Sequence, residues 1–226
     1  MTSESRMFSV VTKTWNPVTG CPHSCAYCWA RKMATTRLRR LERYKEGFVS
    51  RLNEEEFRKK FNGGFVFVSD MGDLFAHTVP DGWITRVIEH VKKFPEATFL
   101  FLTKNPARYL NFDFPENAIL GATIETDRDE IARGLSRAPL PSARIEAMAK
   151  VRGKKFVSVE PISNFTDSFP EKIKRIGPAM VYVGYDNYGN RLPEPSLERT
   201  KKLISELSKF TTVHEKTIRK AWWELL

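Results

Sequence analysis

The feature that most restricts the fold is a rhythm of short, unbroken apolar stretches separated by amphipathic ones. Phe65-Val66-Phe67-Val68, Thr98-Phe99-Leu100-Phe101-Leu102, Ala118-Ile119-Leu120-Gly121-Ala122-Thr123-Ile124, Phe156-Val157-Ser158-Val159 and Met180-Val181-Tyr182-Val183 each read as a strand buried on both faces. Met7 to Lys13 alternates instead, and reads as a first strand ending near Trp15-Asn16-Pro17. Between strands lie helical patterns, such as Asp81 capping an apolar face of Ile84, Val87, Ile88 and Val91. Buried strands alternating with helices at a repeat of roughly 25–35 residues predict parallel βα units. About six units are present, short of the eight that close a full barrel. The predicted fold class is therefore α/β, a partial (β/α)6 barrel of parallel strands. No linker or low-complexity run divides the 226 residues, so a single domain is expected. Its core covers about residues 7–185, and about 186–226 form a C-terminal helical extension. That extension has an apolar face of Leu197, Leu203, Ile204, Leu207 and Phe210, with room for a short strand and a last helix ending in Trp222-Trp223.

All three cysteines lie in one loop directly after the first strand, Cys21-Pro22-His23-Ser24-Cys25-Ala26-Tyr27-Cys28. Disulfides use cysteines in pairs, and closed zinc sites want four ligands. A [4Fe–4S] cluster on three thiolates leaves one iron without a protein ligand. A zinc site recruiting His23 or His77 and a purely structural cysteine group are the alternatives at this level. An odd number of clustered free cysteines fits a reducing cytosol, no apolar run is long enough to span a bilayer, and Met1 to Met7 is too polar for a signal peptide. A cytoplasmic protein with no membrane partner is expected.

In parallel α/β barrels the residues just after each strand face the site. Those positions here carry Ser69-Asp70-Met71-Gly72-Asp73, Thr103-Lys104-Asn105, Thr123-Ile124-Glu125, Glu160-Pro161 and Gly184-Tyr185-Asp186-Asn187. Charged groups such as Lys104, Glu125 and Glu160 are costly when desolvated without a partner, so their recurrence at one end points to a site. The formal net charge of +10 favours a polyanionic partner, nucleic acid above all. Arg31, Lys32, Arg37, Arg39, Arg40, Arg43 and Lys45 follow the cysteine loop in a stretch that reads as helical from Trp29 to about Phe61, broken near Gly47 and Asn53.

The C-x3-C-x2-C spacing, with an aromatic before the third cysteine, resembles the signature of the radical S-adenosylmethionine (radical SAM) superfamily. The phrases TWNPVTGC, SDMGDLF, LTKNPARY, GATIET and SVEPI are similar to those of a small phage-type radical-SAM-like family, distantly related to spore photoproduct lyase. The resemblance implies that Cys21, Cys25 and Cys28 hold a [4Fe–4S] cluster whose open iron binds S-adenosylmethionine (SAM). It implies Tyr27 near the adenine, Gly72 and Asp73 at the methionine amino group, and Lys104 on the SAM carboxylate. Thr123 and Glu125 would reach the ribose, while Val159 and Glu160 would pass the adenine. It further implies an enzyme that cleaves SAM to a 5′-deoxyadenosyl radical with an electron from a flavodoxin- or ferredoxin-like donor. The expected use is modification or repair of a nucleic acid or nucleotide. The alternatives are a peptide or small-metabolite substrate, or a non-catalytic zinc-stabilised nucleic-acid-binding protein. No cysteine remains to donate a hydrogen atom, which leaves Tyr185, after the sixth strand, as the candidate donor, the alternative being a Tyr that packs against adenine or substrate.

Overall fold

The computed structural model describes residue 8 and residues 10–226. Met7 and Ser9 of the expected first strand, and the polar Met1 to Met7 segment, lie outside the described residues. The elements run β1 (Lys13–Trp15), β2 (Val18–Thr19), α1 (Trp29–Thr35), β3 (Arg51–Leu52), β4 (Gly64–Val68), α2 (Asp81–Lys92), β5 (Ala97–Thr103) and β6 (Ala118–Thr123). They continue with α3 (Asp129–Leu135), α4 (Pro141–Lys150), β7 (Lys154–Val159), α5 (Phe169–Ile176), β8 (Met180–Val183), α6 (Leu197–Ser208) and β9 (Thr212–Glu215). One seven-stranded sheet has the order β1-β4-β5-β6-β7-β8-β9, and every neighbouring pair is parallel. The sheet is a partial barrel with two free edges, because β1 and β9 are not paired to each other.

Its outer face is covered by helices whose apolar stripes were legible in advance. Ile84, Val87, Ile88 and Val91 of α2 and Ile173 and Ile176 of α5 are buried against Val66, Phe99, Val157 and Val181 of the strands. Each such side chain contributes roughly 1.5–3 kcal/mol by leaving water. The concave face holds a separate aromatic layer of Phe8, Phe67, Phe156 and Tyr182. Gly121 on β6 makes room for it, since a Cβ there would stand 2.2 Å from the Phe156 ring.

Two sequence expectations change. The stretch after the cysteine loop is not one broken helix. Helix α1 stops at Thr35, followed by 3-10 turns at Glu42–Tyr44 and Glu54–Arg58 and the short strand β3. Thr35 and Thr36 donate their hydroxyls back to the Arg31 and Lys32 carbonyls, a local competition that β-branched hydroxyl residues offer against helix continuation. The basic residues therefore occupy a short helix and a loop. The C-terminal extension, in turn, does more than add helix: α6 crosses over and returns β9 parallel to β8 as a seventh strand. Its four residues, Thr-Val-His-Glu, carry one aliphatic side chain, too weak a pattern to mark a core strand. Among the described residues no helix is long and apolar enough to cross a membrane.

Candidate functional site

The cysteine loop is fixed against the end of β4 by a close backbone approach. Gly20 and Gly72 form a parallel bridge, with Gly20 N–H on Met71 O (2.9 Å) and Asp73 N–H on Gly20 O (3.3 Å). A Cβ on Gly72 would fall 2.8 Å from the Gly20 carbonyl, and Gly20 itself has φ of +84°, so both positions need glycine. The far side of the loop is tied to the end of α3 and the turn that follows it by Ala26 N–H on Leu135 O (2.9 Å) and Arg137 N–H on His23 O (2.7 Å). Cys28 caps α1, its Sγ accepting from Arg31 N–H (3.3 Å), and Cys21 Sγ accepts from His23 N–H (3.4 Å).

All three cysteines line one cavity of about 810 Å³. Burial and the nearby Asp73 carboxylate push the Cys21 thiol up, and burial raises Cys25 despite the opposing pull of Lys104. Thiols this desolvated ionise only with a cation to compensate them. Three soft sulfurs on one wall, two of them accepting backbone N–H groups, make a donor set that fits a [4Fe–4S] cluster. Cys21, His23 and Asp73 also place ligand atoms within 4.8 Å of one another. His23 Nε2, however, lies 3.0 Å from Asp73 Oδ2 and is spent on that bond. His77 is exposed and does not line the cavity, so the zinc alternative falls back on His23 Nδ1, which is buried and has no hydrogen-bond partner among the described residues.

Asp73 is the keystone of this corner. Besides His23 it accepts from Thr103 Oγ1 (2.7 Å), Lys104 N–H (3.0 Å) and Phe75 N–H (3.0 Å). Burial alone would push its carboxyl up; the His23 imidazole and these hydrogen bonds outweigh it and hold the group below the usual range. Its four acceptor positions are filled by protein donors, so the expected contact to a ligand amino group finds no free lone pair on Asp73. Gly72 lines the cavity beside it.

Lys104 lines the cavity next to the cysteines, with its ammonium 5.3 Å from the Tyr27 ring centre. Its Nζ donates to Glu125 Oε1 (2.9 Å), which also accepts from the Tyr27 hydroxyl (3.1 Å). Glu125 is completely buried, which corrects the expectation that it reaches a ribose. Its other oxygen is taken by Arg144 NH1 (2.6 Å), which also donates to Thr123 O (2.9 Å), while Arg144 Nε donates to Pro139 O (2.6 Å). Burial works against a charge on Glu125, yet Lys104 and Arg144 overcome it and bring its carboxyl down to about 2. Arg144 was missed in the sequence. Its signal is a lone charge on the α4 face otherwise formed by Pro141, Ile145 and Met148.

The opposite wall is built by β7, β8 and β9. Thr123 and Glu160 line the cavity. Glu160 pairs with Lys216, and burial raises its carboxyl even against that ammonium. Val159 does not face the cavity; its side chain is part of the outer core, as its place on a strand between inward-facing Ser158 and Glu160 requires. Tyr185 is fully buried, and its hydroxyl bonds Pro195 O (3.1 Å) and Thr200 Oγ1 (2.7 Å) towards α6. Tyr185 lines the cavity, but with its hydroxyl turned to these acceptors it stands as the packing residue that was the alternative to a hydrogen-atom donor. Asn187, Tyr188, His214, Glu215, Lys216 and Thr217 complete this wall.

The fold is that of the radical SAM enzymes. A spore photoproduct lyase variant with bound AdoMet and dinucleoside spore photoproduct superposes with a TM-score of 0.57 at 14% identity, covering 88% of this chain and 61% of that one. A spore photoproduct lyase complexed with dinucleoside spore photoproduct gives 0.53 at 13% identity over 86% of this chain and 60% of the other. A radical SAM methyltransferase from Sphaerobacter thermophilus gives 0.51 at 15% identity, covering 93% and 67%. The chain spans about 61% of the length of the lyase it matches. No curated protein sequence matches it. Residues 7–170 match a family model described as protein of unknown function (DUF5131), and the chain belongs to that family.

Proposed function

We propose that the protein is a radical SAM enzyme acting on a nucleotide or nucleic acid. The observation that carries this reading is the convergence of Cys21, Cys25, Cys28, Tyr27 and Lys104 on one cavity, at the carboxyl end of a partial parallel barrel. In this reading Cys21, Cys25 and Cys28 would hold a [4Fe–4S] cluster, and Lys104 would hold the SAM carboxylate. When bound, the pair supplies a 5′-deoxyadenosyl radical on reduction. The chain's own work is position and exclusion. Lys104 offers a point charge to a carboxylate, Tyr27 an aromatic wall, and Thr123 a hydroxyl at the end of β6. If Lys104 turns to a ligand carboxylate, Arg144 and Tyr27 still hold Glu125.

The test is anaerobic reduction with SAM, followed by detection of 5′-deoxyadenosine. None formed by iron-loaded, reduced protein would refute the reading. Lys104→Ala should weaken SAM binding by about 1.5–3 kcal/mol, as measured by titration of the reduced protein. Unchanged affinity would remove Lys104 from the site.

Two observations support a nucleic-acid partner. The spore photoproduct lyase of similar fold carries a dinucleoside ligand. In this chain Lys32, Arg37, Arg39 and Arg40 follow the cysteine loop and are exposed, and among the described residues none pairs with a carboxylate. Arg43, Lys45 and Arg51, by contrast, are tied to Glu55, Glu56 and Glu42. Exposed, unpaired cations suit phosphates. Reversing Arg39 and Arg40 to Glu is expected to flatten the dependence of oligonucleotide affinity on salt by about two phosphate contacts' worth, with iron content unchanged. An unaltered salt slope would show these arginines to be solvated surface. Failure of every DNA and RNA to bind at low salt would favour a peptide or metabolite substrate.

A further inference from the structure

Four polar side chains stand in one row across four adjacent strands. Thr123 of β6 is in register with Ser158 of β7, Ser158 with Tyr182 of β8, and Tyr182 with His214 of β9. Residues directly opposite one another in a sheet share a face, and all four line the cavity. The row has an aromatic surface as well as polar edges. The Tyr182 and His214 rings are stacked 4.7 Å apart at 17°, and Phe8 and Phe67 line the cavity beside them. Among the described residues the Tyr182 hydroxyl has no hydrogen-bond partner, although the residue is only 1% exposed. Ser69 Oγ, 3% exposed and also on the cavity wall, is unpartnered too. Buried donors without partners are costly and rare, so a cluster of them around one cavity marks groups arranged for a ligand. At about 810 Å³ the space lies near the upper end of the ~300–1,000 Å³ usual for a single ligand.

We propose that this row, Thr123-Ser158-Tyr182-His214, is a nucleobase subsite, with Tyr182 reading the edge of the base by a hydrogen bond and the aromatic side chains holding its face. The inference rests on the nucleotide reading above and adds the residues that recognise the base. A planar ring with a polar edge meets both demands of the site. An aliphatic or sugar substrate would leave the stacked rings unused. The seventh strand then has a function, since without β9 the row ends at Tyr182.

The experiment uses anaerobically purified, iron-loaded protein with SAM and the four deoxynucleoside 5′-monophosphates as probes, with ribose 5-phosphate as a base-free control. Wild-type protein is expected to bind at least one monophosphate, and Tyr182→Phe to bind it about tenfold more weakly, the worth of one hydrogen bond. SAM affinity should not change. The melting temperature of the unliganded variant should be unchanged or higher, because the substitution removes an unpartnered buried hydroxyl. His214→Ala should weaken the same probe by removing the stacked ring. Equal binding of the monophosphates by wild type and Tyr182→Phe would overturn the subsite and leave the nucleotide reading standing. So would ribose 5-phosphate binding as well as the nucleotides, or a lowered melting temperature, which would make Tyr182 structural. Wild-type protein that binds no nucleotide or oligonucleotide would overturn both.

Discussion

Replacing Arg144 with Met is expected to destabilise the protein by about 3–5 kcal/mol, the cost of leaving a buried charge without its partner. Glu125 and Arg144 are both essentially inaccessible to water, and Arg144 also holds the Thr123 and Pro139 carbonyls. Removing it strands one carboxylate oxygen and two backbone acceptors at once. The pH dependence follows from the same pair. Folded Glu125 has its carboxyl lowered from 4.5 to about 2, so its contribution is complete above the unfolded value and is lost as pH falls from about 4.5 towards 2. In Arg144→Met one of the two compensating cations is gone, with Lys104 left alone against the burial, and acid unfolding should begin at higher pH. Combining it with Glu125→Gln should recover part of the loss, since a neutral pair is far less costly to bury than a lone charge. Denaturant titrations of the three proteins at pH 7 and pH 4 measure this. A single variant within 1 kcal/mol of wild type would mean water reaches Glu125.

Most of the scaffold was legible because strands buried on both faces cannot hide. Phe65 to Val68, Thr98 to Leu102 and Phe156 to Val159 leave no polar face for solvent, and helices had to cover them. The cysteine loop was legible because chemistry, not packing, dictates three cysteines within eight residues. Side-chain direction was harder to read. Val159 and Glu160 are adjacent in sequence, yet only Glu160 lines the cavity, because successive strand residues face opposite ways. Glu125 sits past the end of β6 where a site residue belongs, but Arg144, 19 residues on, claims it first. A short strand was legible in the C-terminal stretch, but not its place in the sheet: Thr212 to Glu215 is polar in isolation, and only pairing along Met180 to Val183 makes it the seventh strand. The charge run was read as one helical face, whereas Thr35 and Thr36 end the helix before most of the arginines.

The other large effect concerns Cys25. Cys25→Ala should abolish iron binding while the barrel stays folded. Protein prepared without oxygen is expected to contain about four irons per chain and to be brown; the variant should be colourless, with iron near zero. The fold should survive because nothing in the loop's architecture depends on the sulfur. The Gly20–Gly72 bridge, the His23–Asp73 bond and the ties to Leu135 and Arg137 hold it through backbone and imidazole atoms. Cys25 is also absent from the apolar clusters that pack the sheet. The variant's melting temperature should therefore match that of wild-type protein stripped of iron, which separates loss of the metal from loss of structure. Metal analysis decides between the donor sets as well. Stoichiometric zinc in the wild-type protein, retained in Cys25→Ala, would place the ion on Cys21, His23 and Asp73 and end the radical SAM reading. Iron that vanishes with any one of Cys21, Cys25 or Cys28 but persists in His23→Gln would assign the metal to the three thiolates, leaving the His23–Asp73 bond the separate task of holding the loop against β4.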